Sequence, residues 1–346
     1  MTATQGAEKD PESKAATPQK QQVIWRNVIL LTLIHLVALY GAIVIIPRIN
    51  PITFIWIVLY GYTGAFGVTA GAHRYWTHKS YKAKLPLRML LAALYLINGM
   101  NSIFHWVRDH RVHHKFSETD ADPHNASRGF FFSHVGWLMQ RKHPEVLRRG
   151  REVDMSDVLA DPVVRFQEKY YVPLLVTLAF LIPISVPCHL WGETWWNSTI
   201  CAILRWVISL NCVWTVNSLA HMYGQHPYNR KIKPAENRLV SFITVGEGWH
   251  NYHHTFPWDY KTSELGKYGL NLTTAFIDFF AYIGWAYDLK QPSEQLVRKV
   301  VQQMGDGSHK NWGHVEEVPE EAEALLKAKC EFEEIISNDE EKVKGI

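Results

Sequence analysis

Four long apolar blocks constrain the fold of this chain more than any other feature of its sequence. They cover roughly residues 28–47, 53–72, 172–190 and 199–220. Each block has about the 20 residues that an α-helix needs to cross the hydrocarbon core of a bilayer. Backbone groups in lipid must find hydrogen bonds within their own segment, which favours helices. The sequence therefore predicts an all-α integral membrane protein with four transmembrane helices.

The charge distribution predicts which side of the membrane each part occupies. Residues 71–169 contain sixteen of the 36 Lys and Arg residues, whereas the connection 189–198 contains none. By the positive-inside rule, the long segment and the N-terminal tail face the cytosol. With four spans, the C-terminus returns to the same side. We therefore expect a cytosolic helical cap and two cytosolic termini.

Composition separates a membrane domain from two polar tails. Residues 1–24 are nearly free of large apolar side chains, which predicts a disordered N-terminal tail. Residues 25–304 carry the spans and the cap, and residues 305–346 form an acidic C-terminal tail. That tail ends in KVKGI, which fits a K-x-K-x-x retrieval pattern of the endoplasmic reticulum. The net charge of +3 indicates no nucleic-acid partner, and the four Cys lack the spacing of a disulfide framework.

Nine of the eighteen histidines follow the apolar blocks closely. The stretches HRVHH and HNYHH place histidines at positions i, i+3 and i+4, which share one face of a helix. His73 and His78 are five residues apart, about 140° around an ideal α-helix, so this pair fits a helix end or a bend. The nine histidines are His73, His78, His110, His113, His114, His221, His250, His253 and His254.

These nine imidazoles predict a dinuclear metal site at one face of the membrane. Neutral imidazole binds Zn, Cu, Fe and Ni, and nine ligands exceed what one tetrahedral zinc ion can use. Two ions with four or five nitrogens each account for the number. The chain has no HExxH, no GxxxxGK[ST], and no Glu-x-x-His pair in a span. The centre is therefore expected to be nearly all nitrogen and to take its electrons from elsewhere.

A fifth apolar stretch, residues 85–106, bears on whether these histidines can meet. It is interrupted by an arginine, two asparagines and a serine. If it crossed the membrane, His73 and His78 would lie on the opposite side from the other seven histidines. One shared site therefore requires this stretch to be re-entrant or to lie along the interface.

The residues around the histidines resemble the histidine boxes of membrane acyl-CoA desaturases of the stearoyl-CoA (Δ9) type. The similar stretches are GAHRYWTH, WVRDHRVHHKFSETDADPHN, VNSLAH and GEGWHNYHHTFPWDY, within a likeness that runs from about residue 25 to residue 307. The resemblance implies a di-iron enzyme of the endoplasmic reticulum membrane. Such an enzyme inserts a cis double bond into a fatty acyl-CoA, using O2 and two electrons from cytochrome b5 and its NADH-dependent reductase.

The same resemblance implies roles for individual residues. The nine histidines would bind the two iron ions, and Asn217 would approach one iron through a water. Arg108 and Asp109 would lie near the CoA portion at the cytosolic mouth, and Trp106 would line the acyl tunnel. Further candidates for the CoA portion are Asn101, Arg141 and Lys142. The last two fit equally well as positive-inside anchors, and the alternative for Trp106 is an interfacial tryptophan.

Three positions depart from the family's common animal pattern. Met100 stands where Gln is common, Val213 stands where Thr is common, and Gly61 occupies the position of a tunnel-end Tyr. The two polar residues of the pattern are associated with the kink in the acyl tunnel, and the loss of bulk at Gly61 would lengthen it. We therefore expect different or longer acyl chains than a Δ9 enzyme acting on C16–C18 would take.

Two other functions fit parts of the pattern. A lipid hydroxylase could use the same di-iron scaffold, and a hydroxylated product would distinguish it from a desaturase. A histidine-rich membrane metal transporter would need polar residues along its spans, where only His35 and Arg205 stand out. An iron content of about two per chain would favour either enzyme over the transporter.

Overall fold

The computed structural model describes residues 21–264 and 268–313 of the chain. Most of both predicted tails and the KVKGI pattern lie outside the described residues. In chain order the α-helices are α1 (Trp25–Tyr40), α2 (Pro51–Phe66), α3 (Leu85–Ile97), α4 (Ile103–Phe116), α5 (Phe130–His134), α6 (Pro144–Glu152), α7 (Ser156–Ala160), α8 (Pro162–Lys169), α9 (Tyr171–Leu175), α10 (Ile182–Trp191), α11 (Trp195–Met222), α12 (Arg238–Ile243), α13 (His250–Thr255), α14 (Leu272–Tyr282) and α15 (Glu294–Met304).

Shorter elements join these helices. The strands β1 (Lys82–Ala83) and β2 (Ala286–Tyr287) pair antiparallel. The π-helical segments are Gly41–Ile45, Gly67–Thr77 and Val176–Leu181. The 3-10 segments are Ile46–Arg48, Ala126–Arg128, Gly136–Met139 and Tyr268–Leu270. The π segments continue α1, α2 and α9 without a break, so each of these helices runs on through a wider turn.

Four continuous helical segments are long and apolar enough to cross a membrane. They are Trp25–Arg48, Pro51–Thr77, Tyr171–Trp191 and Trp195–Met222. Many of their large apolar side chains point outward, as expected for helices whose surroundings are lipid. The prediction of an all-α protein with four spans is confirmed, and each span extends a few residues beyond its apolar block.

The two short connections between spans touch each other. Glu193, after α10, accepts hydrogen bonds from the backbone N–H of Asn50 (3.0 Å) and from the Thr53 hydroxyl (2.9 Å). The indole N–H of Trp191 donates to the Thr53 hydroxyl at 2.8 Å. These contacts join the two helical hairpins at the end of the bundle away from the histidines.

The fifth apolar stretch breaks into two helices, so the prediction that it does not cross the membrane is confirmed. Helix α3 has only 13 residues, and α4 starts at Ile103 after an unwound turn in which Gly99 has a φ of +61°. Helix α3 packs tightly along the second span. A Cβ on Gly67 would lie 2.0 Å from the backbone nitrogen of Tyr95, so only glycine permits this approach.

The remaining helices form a cap at one end of the bundle. Helix α4 packs against the Gly67–Thr77 segment, α6 and α8, and α14 packs against the same segment and β2. The β1–β2 pair ties the chain just after the second span to the chain after α14. The cap thereby holds α4 and α13 against the cap-side ends of the second and fourth spans.

Candidate metal centre

The π-helical winding of the second span brings its two histidines to the same side. The backbone N–H of His78 donates to the His73 carbonyl at 3.1 Å, the i→i+5 bond of a π-helix. The two ring centroids lie 4.9 Å apart. The five-residue spacing predicted a helix end or a bend, and His78 does close the helix. The wider π turn is what aligns the two rings.

The nine histidines meet in two adjoining groups. Within each group the candidate ligand atoms lie within 4.8 Å of one another. The five-histidine group consists of His73, His78, His110, His114 and His253. The four-histidine group consists of His113, His221, His250 and His254. The structure thus brings together all nine histidines singled out in the sequence, in the four-or-five arrangement expected for two ions.

Helix geometry explains why each helical triad is divided between the groups. Positions i and i+4 lie about 40° apart on one side of a helix, whereas i+3 lies about 60° the other way. In α4, His110 and His114 join the five-histidine group and His113 joins the other. In α13 the i and i+4 pair joins the four-histidine group, and His253 joins the five-histidine group. Each triad therefore supplies both groups.

The Nε2 atoms of several rings face each other within the groups. The Nε2–Nε2 distance is 2.9 Å between His73 and His253 and also between His221 and His250. It is 3.0 Å between His114 and His253. Ring nitrogens converging on a point within each group are the donor set that a cation accepting several lone pairs requires.

Three carboxylates lie behind the histidines and fix their tautomers. Glu247 contacts His73 Nδ1 at 2.7 Å, and Glu118 contacts His221 Nδ1 at 2.7 Å. Asp122 contacts the Nδ1 of the α4 i+3 histidine at 2.9 Å. An ionised carboxylate only accepts hydrogen bonds, so each Nδ1 carries the proton and each Nε2 presents its lone pair inward.

Sequence reasoning missed these carboxylates. It expected a centre of nearly all nitrogen, and the structure keeps that for the inward-facing atoms. Glu118 and Asp122 stand in SETDAD, directly after HRVHH, and Glu247 stands three residues before HNYHH. Proximity in sequence was a usable signal, but their contacts to particular rings depend on the folded cap.

Glu247 is also held by a buried cation. Its Oε1 accepts hydrogen bonds from Arg74 Nη2 (2.8 Å) and Nε (3.2 Å), and the Arg74 side chain is fully buried. Burial alone raises the pKa of Glu247, but the charges of Arg74 and His73 lower it to about 2. The carboxylate is therefore ionised at neutral pH and remains an acceptor for the His73 ring.

Burial keeps six of the nine candidate ligands neutral. It lowers the pKa of these rings well below 6.5, and repulsion between neighbouring rings lowers the pKa further. The rings concerned are His78, His110, His114, His250, His253 and His254. The buried Nε2 atoms of His78, His110 and His113 have no hydrogen-bond partner among the described residues. Neutral buried imidazoles with inward nitrogens fit a pair of metal ions.

An apolar cavity of about 530 Å³ leads from the five-histidine group into the membrane part of the protein. His73, His110 and Trp106 line its cap end, and Asn217 lines it from α11. The rest of the lining comes mainly from apolar residues of α2, α11 and the end of the first span. This mainly apolar space has the character of a site for a hydrocarbon chain.

A second pocket, of about 410 Å³, lies near the cap end of the third span. Among its lining residues are Asn101, Arg108, Asp109 and Lys142. Asp109 forms ion pairs with Lys142 and, at 3.1 Å, with Arg108. Of the residues predicted to contact CoA, Arg141 alone is not among those that line this pocket, and its side chain is exposed.

The three departures from the family pattern fall in different places. Gly61 and Val213 both line the apolar cavity. Met100 instead packs between two of the buried hydrophobic clusters. Two of the three positions can therefore affect the shape of the cavity directly.

Fold and site together define a helical membrane protein with a histidine-rich candidate metal centre at the end of an apolar cavity. The model of the fatty acid desaturase family matches residues 49–271. The chain belongs to the fatty acid desaturase family and is an oxidoreductase. The predicted resemblance to acyl-CoA desaturases of the stearoyl-CoA type is confirmed.

Known relatives are similar over most of the chain. The acyl-CoA Delta-9 desaturase of Acheta domesticus is 55% identical over 306 residues, which are 88% of this chain and 85% of that protein. The stearoyl-CoA desaturase 5 of Homo sapiens is 52% identical over 299 residues, 86% of this chain and 90% of that protein. The acyl-CoA Delta12-desaturase of Acheta domesticus is 50% identical over 301 residues, 87% and 84% of the two chains.

Proposed function

We propose that this protein inserts a cis double bond into a fatty acyl-CoA at a di-iron centre, using O2 and electrons from cytochrome b5. The observation that carries the proposal is the apolar cavity that ends at Trp106 and at His73 and His110 of the five-histidine group. A hydrocarbon chain in this cavity has its methylene groups beside the candidate metal positions. The names of the relatives, which include acyl-CoA desaturases, support the substrate class.

The donor set fits iron, and an oxidation disfavours zinc. Imidazole suits Zn, Cu, Fe and Ni, but zinc has no redox chemistry and the reaction is an oxidation. The five-histidine and four-histidine groups would each hold one iron, with Asn217 reaching an iron through a water. When bound, the iron pair supplies the oxidising chemistry. The overall reaction balances when two hydrogens from adjacent carbons, two electrons and two protons reduce O2 to two waters.

The protein's own residues position the substrate. Apolar side chains of the spans exclude water from the cavity, which suppresses side reactions. Trp106 flanks the chain beside the histidines, so that a particular carbon pair is presented. At the second pocket Arg108 and Lys142 offer cations for the CoA phosphates, and Asp109 holds both of them in place. Asn101 lines the same pocket, and the exposed Arg141 would approach CoA only from outside it.

The cellular setting follows from the same proposal. The cap would face the cytosol, where acyl-CoA and the soluble domain of cytochrome b5 are available, and both termini would lie on that side. The enzyme would occupy the endoplasmic reticulum membrane. The excess of Lys and Arg in residues 71–169 supports this orientation.

The cavity supports a substrate preference that differs from C16–C18 Δ9 desaturation. Gly61 lines the cavity where the family pattern has a bulky Tyr, and Val213 lines it where the pattern has Thr. Relatives named for Delta-9 and Delta12 chemistry are 55% and 50% identical to this chain, so overall identity does not select the double-bond position. We infer a longer or differently bent acyl path.

Expression in desaturase-deficient yeast tests the function directly. The full chain should restore unsaturated fatty acids, and the double-bond positions can be mapped by mass spectrometry. Products confined to C16 and C18 Δ9 chains would contradict the inferred substrate preference while supporting desaturation. A hydroxylated product would support the hydroxylase alternative. Variable zinc in place of about two irons per purified chain, with no lipid product, would support the transporter.

A further inference from the structure

A buried arginine lines the cavity within the membrane part of the protein. The Arg205 side chain, in the fourth span, is 4% exposed. Its Nη1 and Nη2 donate to the carbonyls of Ile97 (2.8 Å) and Ala179 (2.6 Å). Its Nε has no partner, and no carboxylate lies within ion-pair distance of it in residues 21–264 and 268–313. An ionisable residue inside the membrane is costly and is a candidate for function.

Two further polar groups line the same cavity at this level. Asn98 is 2% exposed, and its buried Nδ2 has no partner among the described residues. Ser209 lies one turn beyond Arg205 on α11 and lines the cavity as well. Three polar groups therefore face a cavity whose other walls are mainly apolar.

Two glycines of α2 show that the three groups share one level of the cavity. A Cβ on Gly61 would lie 3.5 Å from Arg205 Cγ and 3.8 Å from Ser209 Oγ. A Cβ on Gly64, one turn away, would lie 2.8 Å from Asn98 Nδ2. Glycine at these positions leaves room for the polar side chains, and at Gly61 it leaves open space in the cavity.

The polar level lies far from the candidate metal positions. Gly61 precedes His73 by twelve residues, and Arg205 precedes Asn217 by twelve residues on the continuous helix α11. Twelve residues of α-helix span about 18 Å. An acyl chain bound with its reactive carbons at the histidines reaches this level with its far end only when the part beyond those carbons is long enough to span this distance.

We propose that Arg205, Asn98 and Ser209 form a binding subsite for an oxygen function, a hydroxyl or a carboxylate, at the far end of the acyl chain. This inference rests on the proposed acyl-CoA desaturase function. Buried donors need an acceptor, and an oxygen on the substrate supplies one where a plain methyl end cannot. A carboxylate would also neutralise Arg205, whereas a hydroxyl would pair with the two uncharged groups.

Substrate comparison on the purified, iron-loaded full chain tests the subsite. Acyl-CoAs carrying a terminal hydroxyl, a terminal carboxylate or a plain methyl are compared at matched lengths from C16 to C26, by kcat/KM and by displacement of labelled stearoyl-CoA. At the best length, an oxygen-bearing chain should exceed the plain chain by about fivefold, the equivalent of one hydrogen bond. The hydroxyl and carboxylate arms distinguish the two oxygen functions.

Isosteric variants connect the preference to the subsite. Asn98→Leu and Ser209→Val should lower kcat/KM for the oxygen-bearing chain more than for the plain chain, so that the ratio of the two values falls to about one. Thr199→Val is the matched control, because its hydroxyl bonds only to the Trp195 carbonyl on the exposed side of the same helix. Arg205 stays unchanged because its carbonyl contacts join two segments and its loss would damage the fold.

The outcomes separate this inference from the proposed function. If plain acyl-CoAs are bound and desaturated but no oxygen-bearing chain is preferred at any length, water satisfies these donors and the subsite is refuted. The same conclusion follows if the preference survives in both isosteric variants. If no acyl-CoA of any kind is bound or desaturated, the proposed function itself fails.

Discussion

Substitution of Glu118 can measure how much a carboxylate behind the histidines contributes to metal binding. Its carboxylate accepts the His221 Nδ1 proton at 2.7 Å and so directs Nε2 inward. We expect Glu118→Ala to lower metal affinity about ten- to 100-fold. Glu118→Gln should lose less, because the amide oxygen still accepts the bond. Metal retention against a graded chelator is the measurement.

A surface carboxylate provides the control for this substitution. Glu145 pairs with Arg148 on the exposed face of α6, and Glu145→Ala should leave metal retention unchanged. Equal metal retention in the wild type and Glu118→Ala would show that His221 does not depend on its carboxylate.

Gly61 is a residue at which the open space of the cavity can be reduced. A Cβ there would make ordinary contacts of 3.5 and 3.8 Å, so alanine fits, but a larger side chain must enter the cavity. We expect Gly61→Phe to shift the products towards shorter acyl chains and to lower the turnover of the longest accepted chain at least tenfold. Gly61→Ala should keep the wild-type profile. An unchanged chain-length profile in Gly61→Phe would mean that the acyl chain does not reach this level.

At the scale of elements, the contact between the second span and α3 depends on one glycine. A Cβ on Gly67 would lie 2.0 Å from Tyr95 N and 2.3 Å from Leu94 C, and backbone atoms cannot yield cheaply. We expect Gly67→Ala to displace α3 and to lower the yield and melting temperature of detergent-purified protein. Gly269→Ala is the matched control, since nothing lies within 4 Å of its added Cβ. Equal melting temperatures of these two variants would contradict the tight packing.

Element boundaries show what local sequence could and could not predict. The helical triads in α4 and α13 were predictable, because i, i+3 and i+4 spacing is a property of any α-helix. The π winding of Gly67–Thr77 was not predicted from the sequence. It depends on how α3 and the cap pack against that segment. Local spacing alone therefore suggested a helix end or a bend for His73 and His78.

At the scale of the whole molecule, bound metal should couple the spans to the cap. The nine histidines come from the second span and its end, α4, α11 and α13, so one centre joins elements from across the chain. Metal that binds only the folded state stabilises it by about 4 kcal/mol at a concentration 1,000 times Kd. We expect chelation to lower the melting temperature by several degrees and Fe²⁺ to restore it. A melting temperature unchanged by chelation would show that bound metal does not stabilise the folded protein.

The membrane topology is testable on the intact molecule. Four spans and the contact of Glu193 with Asn50 put both short connections at the end away from the cap. We expect a single cysteine at Glu193, in a background without native cysteines, to react with an impermeant reagent only from the lumen. A cysteine at the exposed Arg141 should react only from the cytosol. Labelling of both positions from one side would overturn the four-span arrangement.

The sequence alone was enough to predict the membrane class, the number of spans and the nine histidines. Those features follow from hydropathy and from spacings within a few residues, which any helix converts into the same geometry. The five-and-four division, the carboxylates behind the rings and the polar level of the cavity required the fold. His221 and Glu118 are 103 residues apart in the sequence. Asn98 lies near Arg205 in the cavity only because α3 packs against α2. Such contacts depend on how distant segments pack, which no local pattern encodes.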